Sequence, residues 1–392
     1  MKILIAHNYY RTPGGEDAVF RSECELLKNF GEEVILYERN NAELDALSNF
    51  RKFKYFFSLG YSRRTYNEIR ALIKKFRPDV AHFHNIFFLI TPAAYFACKD
   101  EGVAVVQTQH NFRLLCSNAL FYRNNKPCED CLQKNLWQGV RHKCYRNSRL
   151  LTGFLAWTID RHWRNKTWME KVDMYIAAAE FTRQKYLQRG IPQKKIVLKP
   201  HFFSKDPGQR NGHKSYVLYV GRLSQEKGVN VLIEAWKSLK NIPLKIIGHG
   251  DQWNALRELA KNNSAIEFLG HVSQVECEKY LKEAYFLIIP SLCYENFPRV
   301  LVEAYAHGLP VIASRLGSLA ELIVDGKTGL LFEPGDAQDL ARKVRFLMDD
   351  ENKRLAMERE ARLEYEQKYT PERNYKQLMA IYKKAIEVAR TS

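Results

Sequence analysis

Long apolar runs are missing from this chain: no stretch approaches the about 18 consecutive apolar residues that a membrane-spanning helix requires. The opening run Met1-Lys2-Ile3-Leu4-Ile5-Ala6-His7 is far too short for a signal peptide or a span, so the chain reads as cytoplasmic. Low-complexity tracts and short-period repeats are also lacking, and 46% hydrophobic with 27% charged residues leaves no composition typical of a disordered tail. No Asp-x-Asp triplet occurs, so the close carboxylate pair that often holds a divalent ion is not available. Acids are scarce in the first half. Up to Pro200 there are 33 Lys and Arg against 19 Asp and Glu, and beyond it 28 against 25, so the net charge of +17 belongs mainly to the first 200 residues.

What is present points to two α/β domains within 392 residues. The basic surplus is densest in Arg51-Lys52-Phe53-Lys54-Tyr55-Phe56-Phe57 and onward through Arg63, Arg64, Arg70, Lys74, Lys75 and Arg77, where Glu68 is the only acid. Such a mixture of bases and aromatics suits a solvated helix face or peripheral contact with an anionic membrane. Nucleic acid is disfavoured, because no nucleic-acid-binding module accompanies the charge. Of the eight cysteines, Cys24, Cys98, Cys277 and Cys293 read as isolated residues near a core. Cys116, Cys128, Cys131 and Cys144 cluster in one insertion, about 112–149, with His142 beside the last of them. Structural zinc, a disulfide-linked or redox-labile set, and free thiols all remain open for these four.

Apolar runs bounded by glycine and proline mark the strands. Residues 2–7 are followed by Pro13-Gly14-Gly15 and a helix from about Ala18 to Phe30, a strand-to-helix unit whose paired glycines allow close backbone approach. Val80 to His84 and Val103 to Thr108 read as strands, and His110 follows the second of them at the end where open α/β sheets handle ligands. For His82 and His84 the same pattern favours supporting roles. An aromatic, basic helical segment runs through Trp157, Trp163 and Trp168, and Ser204 to Ser215 reads as the linker. The pattern then restarts with strands at Tyr216 to Gly221, Leu244 to Gly250, Ile266 to Val272 and Tyr285 to Pro290. Asp336 reads as a helix cap, and Pro371 to Arg390 as the last helix.

The most informative stretch is Tyr294-Glu295-Asn296-Phe297-Pro298-Arg299-Val300-Leu301-Val302-Glu303. Pro298 suits the first position of a helix and Gly308 its C-terminal cap, so Glu295 lies on the loop and Glu303 in the second turn. The free N–H groups of Arg299 and Val300 and the positive end of the helix make the junction a natural diphosphate seat. Each flanking carboxylate then suits a pair of hydroxyls beyond either end of that diphosphate. In Val220-Gly221-Arg222-Leu223-Ser224-Gln225-Glu226-Lys227-Gly228, Arg222 offers a planar fork and Lys227 a point charge for phosphate oxygens.

Together these two motifs resemble those of the retaining glycosyltransferases of family four, which have the GT-B fold, and the resemblance covers most of the chain. It implies two Rossmann-like domains facing a cleft: 1–203 for the acceptor, 215–370 for the nucleotide-sugar donor, and 371–392 as a crossover helix returning to the first. It further implies that Glu295 lies by the donor sugar, that Glu303 holds the ribose, that Arg222 and Lys227 hold the phosphates, and that His110 approaches the sugar. Gly14 and Gly15 fall near the donor phosphates, His271 and Val272 near the nucleobase, and Asn296, Phe297, Pro298 and Arg299 in the donor loop, where many relatives have glycine in place of Asn296. The expected chemistry is metal-independent transfer, with retention, of a hexose, best matched by UDP-glucose. The expected acceptor is a glycan or lipid-linked oligosaccharide in polysaccharide biosynthesis at the inner face of the membrane. A phosphorylase or sugar-nucleotide epimerase of the same fold is one alternative, and a membrane- or nucleic-acid-binding protein with a vestigial site is another.

Overall fold

The computed structural model describes residues 1–12, 14–45, 60–208 and 214–391. The basic run Arg51 to Phe57, Pro13, and the part of the expected linker from 209 to 213 lie outside the described residues. In chain order the strands are β1 (Lys2–Tyr9), β2 (Glu33–Asn40), β3 (Val80–Phe83), β4 (Ala104–Gln109), β5 (Tyr122–Arg123) and β6 (Lys126–Pro127). They continue with β7 (Met174–Ala177), β8 (Ile196–Leu198), β9 (Tyr216–Val220), β10 (Leu244–Ile247), β11 (Ile266–Gly270), β12 (Ala284–Ile289), β13 (Val311–Ser314) and β14 (Gly329–Phe332).

The chain divides into two compact units, the first comprising 1–119, 129–200 and 371–392 and the second 120–128 and 201–370. Each unit is built on a six-stranded parallel sheet. In the first the order is β2-β1-β3-β4-β7-β8, and in the second β11-β10-β9-β12-β13-β14. Parallel strands are covered on both faces, which is why β3, β4, β7, β13 and β14 are buried along their whole length. Strand order reverses between β1 and β3 in the first sheet and between β9 and β12 in the second. The carboxyl ends of those strand pairs are where such sheets leave a crevice for ligands.

The last helix, Pro371–Thr391, belongs to the first unit, where Leu378, Ile381, Tyr382 and Ala385 share a core with Ile3, Ile5, Val80, Val106, Met174 and Ile176. Asn374 fixes its start by donating to the Pro200 carbonyl at 2.8 Å. Within the second unit, Val217, Trp236, Phe286, Ile288, Ile312, Phe332 and Leu340 form the main core. Asp336 caps the helix Ala337–Asp349 by accepting from the Gln338 and Asp339 N–H groups at 2.9 Å each. Asp336→Ala should therefore lower stability by about 1 kcal/mol, read as a shift in the urea midpoint without a change in slope.

Several boundaries differ from the sequence expectation. The first helix spans Gly15–Asn29 and not from Ala18, because Asp17 accepts the Gly14 N–H at 2.9 Å and draws the turn forward. Pro298 stands one residue ahead of its helix, Arg299–Ala306, as the N-cap. β11 ends at Gly270, whose φ of 72° turns the chain while its carbonyl accepts the Gly248 N–H, so His271 and Val272 lie beyond the strand. The cysteine insertion is divided: the hairpin β5–β6 falls in the second unit, with Tyr122 packed against that unit's core. Among the described residues, no helix is long and apolar enough to cross a membrane.

Candidate active site

In the second unit the carboxyl ends of β9 and β12 each release a loop, and the two loops are joined. After β9, exposed Arg222 is followed by a short 3-10 turn, Gln225–Lys227, and then by Gly228 at φ 68°. A Cβ on Gly228 would lie 2.0 Å from the Pro290 carbonyl oxygen, so only glycine lets the β9 loop approach the β12 loop this closely. Gly248, at φ 136°, performs the same service for the turn after β10, where a Cβ would lie 1.8 Å from the Gly221 oxygen. The Leu292 N–H donates to the Glu226 carbonyl at 2.8 Å and completes the junction.

Glu295 is the centre of this arrangement. Lys227 Nζ donates to Glu295 Oε1 at 2.7 Å, and Ser291 Oγ donates to the same oxygen at 2.5 Å. Ser318 Oγ donates to the Glu295 backbone carbonyl at 2.6 Å, which ties the loop to the start of the helix Ser318–Leu322. Burial pushes the Glu295 carboxyl up, but the Lys227 ammonium, the hydrogen bonds from Lys227 and Ser291, and the Arg222 charge together hold it below the usual range. Burial likewise acts to lower the Lys227 ammonium, and the Glu295 charge outweighs it and raises the group. Both residues are therefore charged at neutral pH.

Eight residues further on, Glu303 is buried on the helix Arg299–Ala306, and Arg299 Nε meets its Oε1 at 2.9 Å. Burial raises its carboxyl, and the Arg299 charge opposes this only in part. Asn296 and Phe297 are buried, and the Phe297 ring packs against His201 and Tyr369, with centroids 5.1 and 6.0 Å away. Phe297 thus anchors the loop. His271 is exposed and Val272 half-buried after β11, and the His249 ring stacks on Trp253 at 5.0 Å beside the β10 turn. The β5–β6 hairpin reaches this site from elsewhere in sequence, since Gln225 donates to Asn125 Oδ1 at 2.7 Å.

The first unit holds Gly14, Gly15 and His110. Gly14 has extended backbone with φ −138°, and a Cβ on Gly15 would meet nothing within 4 Å. A cavity beyond the ends of β3 and β4 is lined by residues that include His84, Asn85, Gln107, His110, Asn111 and Arg113. Behind it lies a buried chain of polar groups. His110 Nε2 is 2.9 Å from His84 Nδ1, His84 Nε2 is 3.4 Å from Glu23 Oε2, and Lys199 Nζ reaches Glu23 Oε1 at 2.5 Å. His84 Nδ1 and His110 Nε2 share one hydrogen bond, and His84 Nε2 is the ring nitrogen that faces the Glu23 carboxylate. Glu23 is held well below the usual carboxylate range: burial would raise it, and Lys199, His84 and His82 prevail.

Glu23, His82 and His84 form the one group of three close metal-ligand types among the described residues. His82 spends Nδ1 on Tyr382 at 2.8 Å and Nε2 on Thr108 at 2.7 Å, and Lys199 meets Glu23 Oε1, so these partners tie His82 and Glu23 into a hydrogen-bonded network. No disulfide joins any two of the eight cysteines. The Cys131 thiol is lowered to about 7, first by its hydrogen bond with Cys116 and further by the backbone of Ser117 and Gly139.

Sequence reasoning missed Ser291, Ser318, Asn125 and Glu23. Ser291 and Ser318 are single hydroxyls in loops, and Glu23 reads as a surface acid on an amphipathic helix. A serine four residues before Glu295, directly after the strand-ending Pro290, was the one signal within reach.

Two family models match the chain: "Glycosyltransferase Family 4" over residues 13–204 and "Glycosyl transferases group 1" over residues 202–364. The chain belongs to this family of GT-B glycosyltransferases. An uncharacterized glycosyltransferase of Methanocaldococcus jannaschii is 28% identical over 308 residues, covering 77% of this chain and 82% of the relative. The amylovoran biosynthesis glycosyltransferase AmsK of Erwinia amylovora is 29% identical over 226 residues, 53% of this chain and 56% of AmsK. Other curated relatives match over less than half of their own length, 30%, 34% and 45% in three cases. Anabaena HepE, crystallised with UDP and glucose, shares the fold with a TM-score of 0.66 and 16% identity, covering 97% of this chain and 98% of HepE.

Proposed function

We propose that this glycosyltransferase moves a hexose, best matched by glucose from UDP-glucose, onto a growing glycan or lipid-linked oligosaccharide in surface or exopolysaccharide synthesis. The observation that carries the reading is the Lys227–Glu295 pair beside Arg222, held where strand order reverses in the second sheet. Two cations there suit a diphosphate leaving group, which gains negative charge as the sugar departs. Glu295 suits donor-sugar hydroxyls, Glu303 the ribose, and the loop beyond β11 with His271 and Val272 the base. AmsK supports a polysaccharide product, and HepE, with its UDP and glucose, supports the donor.

In the proposed reaction the bond from the anomeric carbon to the diphosphate oxygen breaks as the bond to the acceptor oxygen forms on the same face. The acceptor proton passes to a donor phosphate oxygen. Charge on that diphosphate is balanced by Arg222 and Lys227, so no ion is required. Gly14, Gly15 and His110 belong to the first unit, to which the proposal gives the acceptor.

Calorimetric titration with UDP, GDP and ADP in chelator tests this. UDP should bind without metal and the others more weakly, and Arg222→Ala should weaken UDP at least about tenfold. Loss of binding for all three nucleotides in a folded protein would overturn the assignment of the donor site.

A further inference from the structure

We infer that the outer face of the helix Arg149–Arg164 docks on an anionic lipid bilayer. The helix is fixed by its inner face: Thr152, Leu155, Ala156, Ile159, His162 and Trp163 are buried, and Trp163 donates to the Leu114 carbonyl at 2.9 Å. Its other face carries Leu150, Phe154, Trp157, Arg161 and Arg164, whose spacings of three and four residues place them in one stripe. Leu150 is 77% exposed and Trp157 37%, while the adjoining helix Trp137–Arg141 presents Trp137 at 45%. The Phe154 and Trp157 rings lie 5.8 Å apart, and the Arg161 guanidinium sits 5.4 Å from the Trp157 ring centre.

The charge around this stripe has one sign. From Lys134 to Lys166 there are eight Lys and Arg and one acid, Asp160, which pairs with Arg164 at 3.1 Å. Exposed leucine and tryptophan among bases that far outnumber acids are the composition of a helix lying in the headgroup region, where indole and guanidinium both find partners. A second copy of the chain would bring the same positive charge against itself, which disfavours a dimer through this face. The helix Arg63–Phe76, basic in sequence, is not comparable: Arg64 meets Glu68 and Arg70 meets Glu101, each at 2.6 Å. The inference stands apart from the donor reading, because the Arg149–Arg164 helix holds none of the donor residues.

Flotation of the full chain with vesicles tests it. The protein should float with phosphatidylcholine vesicles containing about a third phosphatidylglycerol, stay behind with phosphatidylcholine alone, and be partly released by salt. The pairs Leu150→Ala with Trp157→Ala, and Arg149→Glu with Arg161→Glu, should each cut the bound fraction at least about tenfold. Both variants should keep the wild-type circular dichroism melting curve and UDP titration. Three results would overturn the inference: no flotation of wild type, flotation unchanged by both pairs, or a dimer on gel filtration that Leu150→Ala with Trp157→Ala abolishes. Tighter binding to RNA or DNA than to vesicles, lost in the same variants, would assign the face to nucleic acid instead.

Discussion

Lys227→Ala is expected to reduce kcat/KM by about 10²–10³-fold, the loss typical of removing one fixed positive donor from a site where charge develops. The effect should be larger than removal of a surface lysine for two reasons. Lys227 pairs with Glu295 at 2.7 Å, so its loss also frees a largely buried carboxylate to rise toward protonation and weaken its proposed hold on hydroxyls. Among the described residues, its replacement also leaves Ser291 as the one side-chain donor to Oε1, which is too little to hold the loop in one geometry. The double variant Lys227→Ala with Glu295→Gln distinguishes the two contributions. It should recover most of the lost stability, since no uncompensated charge remains, yet stay inactive. Steady-state kinetics and urea unfolding on the three variants give the answer. If Lys227→Ala turned over donor within about threefold of wild type, the diphosphate assignment would be wrong.

The second large effect falls on stability. Glu23→Ala should cost about 3–5 kcal/mol, because it leaves the Lys199 ammonium buried beside no carboxylate. Lys199 would keep only Asn374 Oδ1 at 3.1 Å among its side-chain partners in that network. Adding Lys199→Met to Glu23→Ala should restore most of the loss, which a cavity alone would not allow. Glu23→Gln, which keeps the shape, should fold and report on His110. Removing the negative charge 3.4 Å from His84 Nε2 should move the ¹⁵N signals of His84 and His110 and lower kcat with KM little changed.

The same network sets a pH dependence. Burial foremost, then the His84 charge, push His82 well below its ordinary 6.5, and burial also lowers His7 and His162. Each of these rings is protonated in the unfolded chain at a higher pH than in the folded one. Their contribution is therefore complete above 6.5 and lost as pH falls below it. Glu23 and Glu295, held below their ordinary 4.5, act in the same direction at lower pH. The urea midpoint should thus decline steadily from about pH 7 to about pH 5, and further toward pH 4. A midpoint that rose with acidity over this range would contradict the buried, neutral assignment of these rings.

How much of this could be read without a structure depends on how local each cause is. The apolar runs of β9 and β12 were plain, because a strand covered on both faces favours uninterrupted hydrophobic side chains. Arg222, Lys227, Glu295 and Glu303 could be picked out because a strand end, a glycine and a helix start leave a pattern within about ten residues. Helix and strand ends were less legible. Asp17 drawing the turn forward to Gly15, and Gly270 closing β11 early, depend on hydrogen bonds that composition does not display.

By itself, then, the order of residues determined the two α/β halves, the strand-to-helix loops and the charges those loops carry, because each is a property of neighbours in the chain. Only the tertiary structure decided which of those charges meet. Glu23 and Lys199 are 176 residues apart in sequence and became a buried pair through packing of a helix on a strand end. Lys227 and Glu295, 68 residues apart, were brought to one oxygen because β9 and β12 are neighbours in the sheet and Gly228 lets their loops touch. Residues 120–128, with the hairpin Tyr122–Pro127, pack with the second unit although the chain on either side packs with the first, a choice made by where Tyr122 finds an apolar surface.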